Sequence, residues 1–320
     1  MTQEITPGRY RGLKTTSLSE ADVFGIIAFD QRGSYQRMLP DNTSFDEMVQ
    51  IKVDIIGALS NYASAILTDP SYGLLPAMHM NGKSGLIMSL EKSGYSGDST
   101  YRKIEFLDTW TPEKISKMGA NAVKVMVYYN PQAEQLADQL DETMKQVVSD
   151  CHAWGLPVFL EPMSYSIDEN IKKESAAFAE MRADIIVDTA RRLSQTGADI
   201  LKMEFPLDLK FNQDHAEWRK QCHRLSEVST VPWVLLSAGV DFEEFEPQVH
   251  IACESGASGF LAGRAIWKEA ATMTPADRQA FMAGTATDRL RKLNDIALEK
   301  ARPWTDFYSF GPAPIDWFEQ

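Results

Sequence analysis

A single α/β domain folded as a (β/α)8 TIM barrel is the fold class this sequence predicts. Three observations carry it. Eight short apolar runs recur along the chain, longer amphipathic stretches separate them, and no glycine-rich dinucleotide turn follows the first run. Near-continuous Val/Ile/Leu runs suit parallel strands covered on both faces, and regular alternation with helices implies a parallel sheet that eight strands can close. An open doubly wound sheet would carry a G-x-G-x-x-G turn after its first strand. Here that strand ends Phe29-Asp30-Gln31-Arg32-Gly33 instead.

In chain order the strands are expected at Val23–Phe29, Ala63–Leu67, Leu86–Leu90, Ala122–Tyr128, Pro157–Leu160, Ala198–Met203, Pro232–Leu236 and Ser258–Ala262. The intervals read as helices. Phe45–Tyr62 has apolar residues at helical spacing, and Pro112–Gly119 opens on a Thr111-Pro112 cap and first turn. Pro131–Trp154 and Glu174–Thr196 are long and amphipathic, and Gly155 and Gly197 follow them where terminating glycines belong. His215–Ser229 and Phe242–Ser255 follow the same pattern, the latter ending at Gly256. From about residue 270 to 320 an extension is expected, helical over Thr274–Arg302 and irregular over the aromatic tail Pro303–Gln320.

The chain has 320 residues, a net charge of -13 and three scattered cysteines, Cys151, Cys222 and Cys253. Such an acidic balance argues against nucleic acid or an anionic membrane surface as partner. No apolar run approaches the roughly 18 residues of a membrane span, Met1–Lys14 lacks a signal-like apolar core, and the cysteines form no paired framework. The reading is a cytoplasmic enzyme or binding protein; self-association into a homo-oligomer is left open. The five histidines have no metal-binding spacing, so no metal or other cofactor is expected.

In a barrel of this type the site lies at the C-terminal ends of the strands. The ionisable residues there are Asp30 with Gln31 and Arg32, Asp69, Glu91 with Lys92, Lys124, Glu161, Lys202 with Glu204, and Arg264. Strand alternation places Lys124, Met126 and Tyr128 on one inward face, Glu161 beside Phe159, and Lys202 beside Glu204. Two lysines embedded in apolar strands need a reason, because desolvating an ammonium is costly. One reason is structural, an ion pair such as Lys124 with Glu161. The other is chemical. A neutral amine on Lys202, favoured by burial and by the neighbouring charge of Lys124, would attack a ketone to form an iminium ion. That ion accepts the electron pair left by C–C cleavage, and Glu161 takes the proton of the substrate hydroxyl.

Small residues follow the last two strands, at Ser237-Ala238-Gly239 and at Gly263-Arg264. They let backbone N–H groups approach an anion at the usual phosphate position of this fold, and Arg264 adds a fork of donors. Arg32 is a further candidate for the anion.

These segments resemble the tagatose 1,6-bisphosphate aldolase family of bacterial class I aldolases over roughly residues 18 to 268. The resemblance is carried by Ala28-Phe29-Asp30-Gln31-Arg32-Gly33, Leu67-Thr68-Asp69-Pro70-Ser71-Tyr72-Gly73, Glu91-Lys92-Ser93-Gly94-Tyr95 and Ala120–Lys124 with Tyr128-Tyr129. Further on it is carried by Phe159-Leu160-Glu161, Asp199–Glu204 with Pro206, Leu236–Val240, and Gly263-Arg264-Ala265 with Trp267. It implies a metal-independent Schiff base on Lys202, acid/base work by Glu161, and a site lined by Lys124, Asp30 and Gln31. The implied substrate is tagatose 1,6-bisphosphate, cleaved to dihydroxyacetone phosphate and glyceraldehyde 3-phosphate. Sulfofructose 1-phosphate aldolases are closely similar and give sulfolactaldehyde as the second product. Pro162, Ile266 and the segment between strands five and six depart from the tagatose pattern, which leaves the distal end of the substrate open. The reading from a different class is a non-catalytic barrel that binds sugar phosphates.

Overall fold

The computed structural model of the chain describes residues 2–312 and 314–316. Eight parallel strands close into a barrel in sequential order: β1 (Phe24–Ala28), β2 (Ala65–Thr68), β3 (Gly85–Ser89), β4 (Ala122–Tyr129), β5 (Val158–Ser164), β6 (Ile200–Met203), β7 (Trp233–Leu236) and β8 (Gly259–Ala262), with β8 pairing back to β1. Every residue of β1, β2, β3, β6, β7 and β8 is buried, as strands enclosed by a helix layer require. β5 runs past its expected end through Pro162 to Ser164, because β4 pairs with it along seven residues.

The helices lie near their expected places at Phe45–Leu59, Pro112–Lys117, Glu134–Ala153, Ala176–Leu193, His215–Val228 and Phe242–Glu254. Ser44 closes a capping box with Glu47 at the first of them. Gly155, Gly197 and Gly256 follow three of the helices at φ of 68°, 89° and 106°, the left-handed conformation that glycine takes without strain. The helix expected over Thr274–Arg302 is divided. Pro275–Phe281 and Thr287–Lys300 are joined by a π-turn at Met282–Ala286, where the Thr287 hydroxyl donates to the Met282 carbonyl. The tail is not wholly irregular: Tyr308–Ser309 pairs in parallel with Gln3–Glu4. Residues 313 and 317–320 of that tail lie outside the described residues.

A helix over Pro7–Thr16 was not expected, since its composition is polar and its apolar face narrow. It packs beneath the barrel, where Arg9 pairs with the fully buried Asp199 just before β6. His152 and the Val158 N–H share the same carboxylate. Side chains fill the barrel above this floor. Phe24 meets Phe159 edge-on with ring centroids 5.5 Å apart, and the next inward residues toward the C-terminal mouth carry the charge.

Candidate active site

Lys124 stands in the middle of β4, and β4 faces the ends of its neighbours. Its ammonium lies 2.7 Å from Asp30 Oδ2, 3.0 Å from Glu91 Oε1 and 3.0 Å from Glu161 Oε2. The other oxygen of Glu161 lies 2.9 Å from Lys202 Nζ. All five residues are buried. The ion pair anticipated between Lys124 and Glu161 is therefore present, and Glu161 bridges the two lysines. Burial pushes the Lys124 amine down, but Asp30, Glu161 and Glu91 outweigh it and hold its pKa well above the ordinary range. Burial likewise works against an ionised Asp30, yet Lys124 and Lys202 keep its carboxyl far below the usual carboxylate range. Two lysines thus meet three carboxylates. The charge of Lys124 is already balanced, so it acts on Lys202 less as a repelling neighbour than the sequence suggested.

Glu91, noted in the sequence only as a strand-end charge, is part of this cluster. It also accepts the Met126 N–H and the Arg32 guanidinium, the latter at 3.2 Å. Arg32 donates to the Glu91 carbonyl as well, at 2.9 Å. Both contacts are made by one nitrogen, Nη2. Lys52, on the helix after β1, was missed. Its ammonium donates to the carbonyls of Phe29 and Gln31, on either side of Asp30, and pairs with Asp69. It lies 4.4 Å from the Phe29 ring centroid. A buried cation so placed fixes the backbone that aims Asp30.

The second group forms at β7 and β8. Ala238 and Gly239 both have positive φ, 48° and 86°, and the Val240 N–H donates to the Ser237 carbonyl at 3.0 Å. The Ser237 hydroxyl accepts the Gly263 N–H at 3.1 Å and ties the two loops together. A Cβ at Gly239 would sit 2.6 Å from an Arg264 guanidinium nitrogen, so that side chain lies flat against the glycine. The Gln31 side chain reaches the same loop, with its amide nitrogen 3.4 Å from where a Cβ at Gly263 would sit and its Oε1 buried without a hydrogen-bond partner. Among the described residues Arg264 has no carboxylate within 4.0 Å. A half-buried guanidinium with no carboxylate partner among the described residues, beside the Gln31 amide nitrogen, is an arrangement of donors suited to an oxyanion.

Glu204 does not join the lysines. β6 ends at Met203, so Glu204 escapes the strand alternation that would aim it inward. Its carboxylate accepts the Ser164 N–H, the Ser164 hydroxyl, Lys173 at 2.7 Å and Arg182 at 3.3 Å. Burial alone would raise its pKa, but Lys173, Arg182 and Ser164 bring it down from 4.5 to about 2. A carboxyl depressed in the folded state contributes stability that is complete above about pH 5 and lost as pH falls toward 2, about 3 kcal/mol here. Between pH 5 and pH 3 the Tm of Glu204→Gln should therefore fall less than that of the wild type, from a lower start at pH 7. Parallel Tm curves for the two proteins would contradict this.

A parallel eight-stranded barrel that brings two lysines and three carboxylates to its C-terminal mouth is an arrangement suited to aldolase chemistry. The chain belongs to the DeoC/LacD aldolase family, whose profile matches residues 24–269. It is 31% identical to tagatose 1,6-diphosphate aldolase 2 of Streptococcus pyogenes serotype M1, over 96% of this chain and 99% of that one. It is 30% identical to tagatose 1,6-diphosphate aldolase of Lactococcus lactis subsp. lactis, over 90% and 95% of the two chains. Among solved structures, an archaeal fructose 1,6-bisphosphate aldolase superposes with a TM-score of 0.59 at 18% identity, covering 91% of this chain and 99% of its own. The fructose-bisphosphate aldolase of Plasmodium falciparum superposes with a TM-score of 0.68 at 14% identity, covering 94% and 98%. These two likenesses are of fold.

Proposed function

We propose that the chain reversibly cleaves a phosphorylated ketose, with tagatose 1,6-bisphosphate as its substrate, to dihydroxyacetone phosphate and glyceraldehyde 3-phosphate. The amine of Lys202 adds to the C2 carbonyl and water leaves, giving an iminium ion. Glu161 takes the proton of the C4 hydroxyl, the C3–C4 bond breaks, and its electron pair passes to the iminium as an enamine. The aldehyde departs, the enamine is protonated at C3, and water returns the ketone and the free lysine. Lys124 and Asp30 hold Glu161 and the developing charges in place. The observation that carries this reading is the bridge made by Glu161, with one oxygen on Lys202 at 2.9 Å and the other on Lys124 at 3.0 Å. A base in contact with the nucleophile can serve the proton transfers on either side of bond cleavage.

The C1 phosphate is assigned to Gln31, Ser237, Ala238, Gly239, Gly263 and Arg264. Arg264→Ala should then weaken binding of the phosphorylated substrate by about 1.5–3 kcal/mol, the worth of a charge-assisted contact. An unphosphorylated analogue should lose much less, and equal losses would count against the assignment. The iminium supplies the electron withdrawal that a metal would otherwise provide, so turnover should survive EDTA; loss on chelation and recovery with zinc would overturn the Schiff-base route. Substrate identity is tested by assaying tagatose 1,6-bisphosphate, fructose 1,6-bisphosphate and sulfofructose 1-phosphate side by side. The highest kcat/KM is expected for the tagatose ester. A clear preference for the sulfonate would move the assignment to the sulfofructose reaction.

A further inference from the structure

We propose that Arg102 receives the distal oxyanion of the ketose, phosphate or sulfonate, at the end of the substrate away from Arg264; this rests on the aldolase reading above. Arg102 lies on a flap between β3 and the helix at Pro112. The flap is built, not loose: Glu91 bridges to Phe106, and Ser96 and Lys103 exchange backbone hydrogen bonds at 3.0 and 2.9 Å. Its base is Glu91, which belongs to the lysine cluster. Its far end carries the Arg102 guanidinium over three rings, 4.7 Å from the centroid of Tyr95, 4.8 Å from Tyr128 and 5.1 Å from Tyr165.

Tyr128 follows Lys124 and Met126 on the inward face of β4, and Tyr165 stands one residue past the end of β5. Tyr128 is in register with Met163, two residues beyond Glu161. Two residues of strand rise are about 6.6 Å, the span of the few single bonds from the C4 hydroxyl, where Glu161 acts, to a group on C6. The guanidinium has five N–H donors. Among the described residues one is used, by Nε toward the Ser99 carbonyl, and no carboxylate lies within 4.0 Å. Aromatic faces hold a guanidinium in place without neutralising it, so the charge stays available to a ligand.

The barrel order gives the second argument. Arg264 follows β8 and Arg102 stands over β4 and β5, on opposite sides of an eight-stranded ring, with Lys202 and Glu161 between them. Two arginines with no carboxylate within 4.0 Å among the described residues, one following β8 and the other over the rings of Tyr128 and Tyr165, fit a linear ketose with an oxyanion at each end. A cavity of about 640 Å³ beside β7 is lined by Lys173, Arg182 and Lys210; the first two are already paired with Glu204, and Lys210 is exposed and lies over the Phe211 ring.

The test compares kcat/KM for tagatose 1,6-bisphosphate with that for tagatose 1-phosphate, which lacks the distal anion, in wild type, R102M, R102K and K173M. R102M is expected to lower the ratio of the two values about 10- to 100-fold, the range of a lost charge-assisted contact. R102K, which keeps the charge and loses the fork, lowers it by a smaller factor and carries the test if R102M does not fold. Borohydride trapping with dihydroxyacetone phosphate, run on each variant, reports the Schiff base separately because that ligand has no distal anion. Variants that trap normally but leave the ratio at its wild-type value overturn the proposal, as does a fall in the ratio produced by K173M instead. Failure of the wild type to trap or cleave strikes the aldolase reading itself and the proposal with it.

Discussion

Lys202→Ala is expected to remove turnover, by at least about 10⁴-fold in kcat, and to abolish borohydride trapping. The reason is positional. Lys202 is the one lysine of β6, and among the described residues its amine makes a single ion pair, with Glu161. The nearest substitute, Lys124, is enclosed by Asp30, Glu91 and Glu161, which hold it as an ammonium with no lone pair to donate. The variant also loses one cation of the buried cluster, so its stability should fall, while Glu161 keeps Lys124 as a counter-ion. Single-turnover kinetics on folded protein separates the chemical loss from a loss of structure. Residual turnover above about one part in 10³ would mean that another amine can form the iminium.

Lys124→Met should act on stability as strongly as on catalysis. It leaves Asp30, Glu91 and Glu161 buried together, with Lys202, Arg32 and Lys52 as the remaining nearby cations. Removing one partner of a buried ionic cluster costs about 3–5 kcal/mol, because the charge left behind has lost its compensation. For a chain of this size that corresponds to a fall in Tm of roughly 4–7 °C. Catalysis should drop by about 10²–10³-fold in kcat/KM, since Asp30 and Glu161 lose the cation that orients them. Trapping should remain possible, only slower, as Lys202 is intact. Adding Glu91→Gln should return part of the lost stability, a non-additive result expected of residues that share one network. Additive losses in the double variant would mean that Glu91 and Lys124 are not energetically coupled.

Much of this site is legible in the sequence, for a physical reason. A lysine inside an apolar strand violates the hydrophobic pattern, and Lys124 and Lys202 do so on strands whose alternation aims them at the same interior. Glu161 is found by the same alternation, and the glycines after β7 and β8 by their place in the fold. What the sequence hides is pairing between elements distant along the chain. Glu91 looks like any charge at a strand end until β3 is laid beside β4. Lys52 occupies an ordinary position on an amphipathic helix, and only the return of that helix onto β1 brings it to the carbonyls around Asp30. The contact of Arg32 with Glu91 is hidden in the same way, since it joins the residue after Gln31 to a residue just past the end of β3. Glu204 shows the limit of strand alternation, which ends where the strand ends, one residue earlier.

The central claim is that Lys202 is the covalent nucleophile. The most direct measurement is borohydride reduction in the presence of dihydroxyacetone phosphate, followed by proteolysis and mass spectrometry of the adduct. The account predicts a single reduced adduct on the peptide containing Lys202, absent from Lys202→Ala and retained by Lys124→Met. An adduct on the peptide containing Lys124, or its persistence in Lys202→Ala, would contradict it.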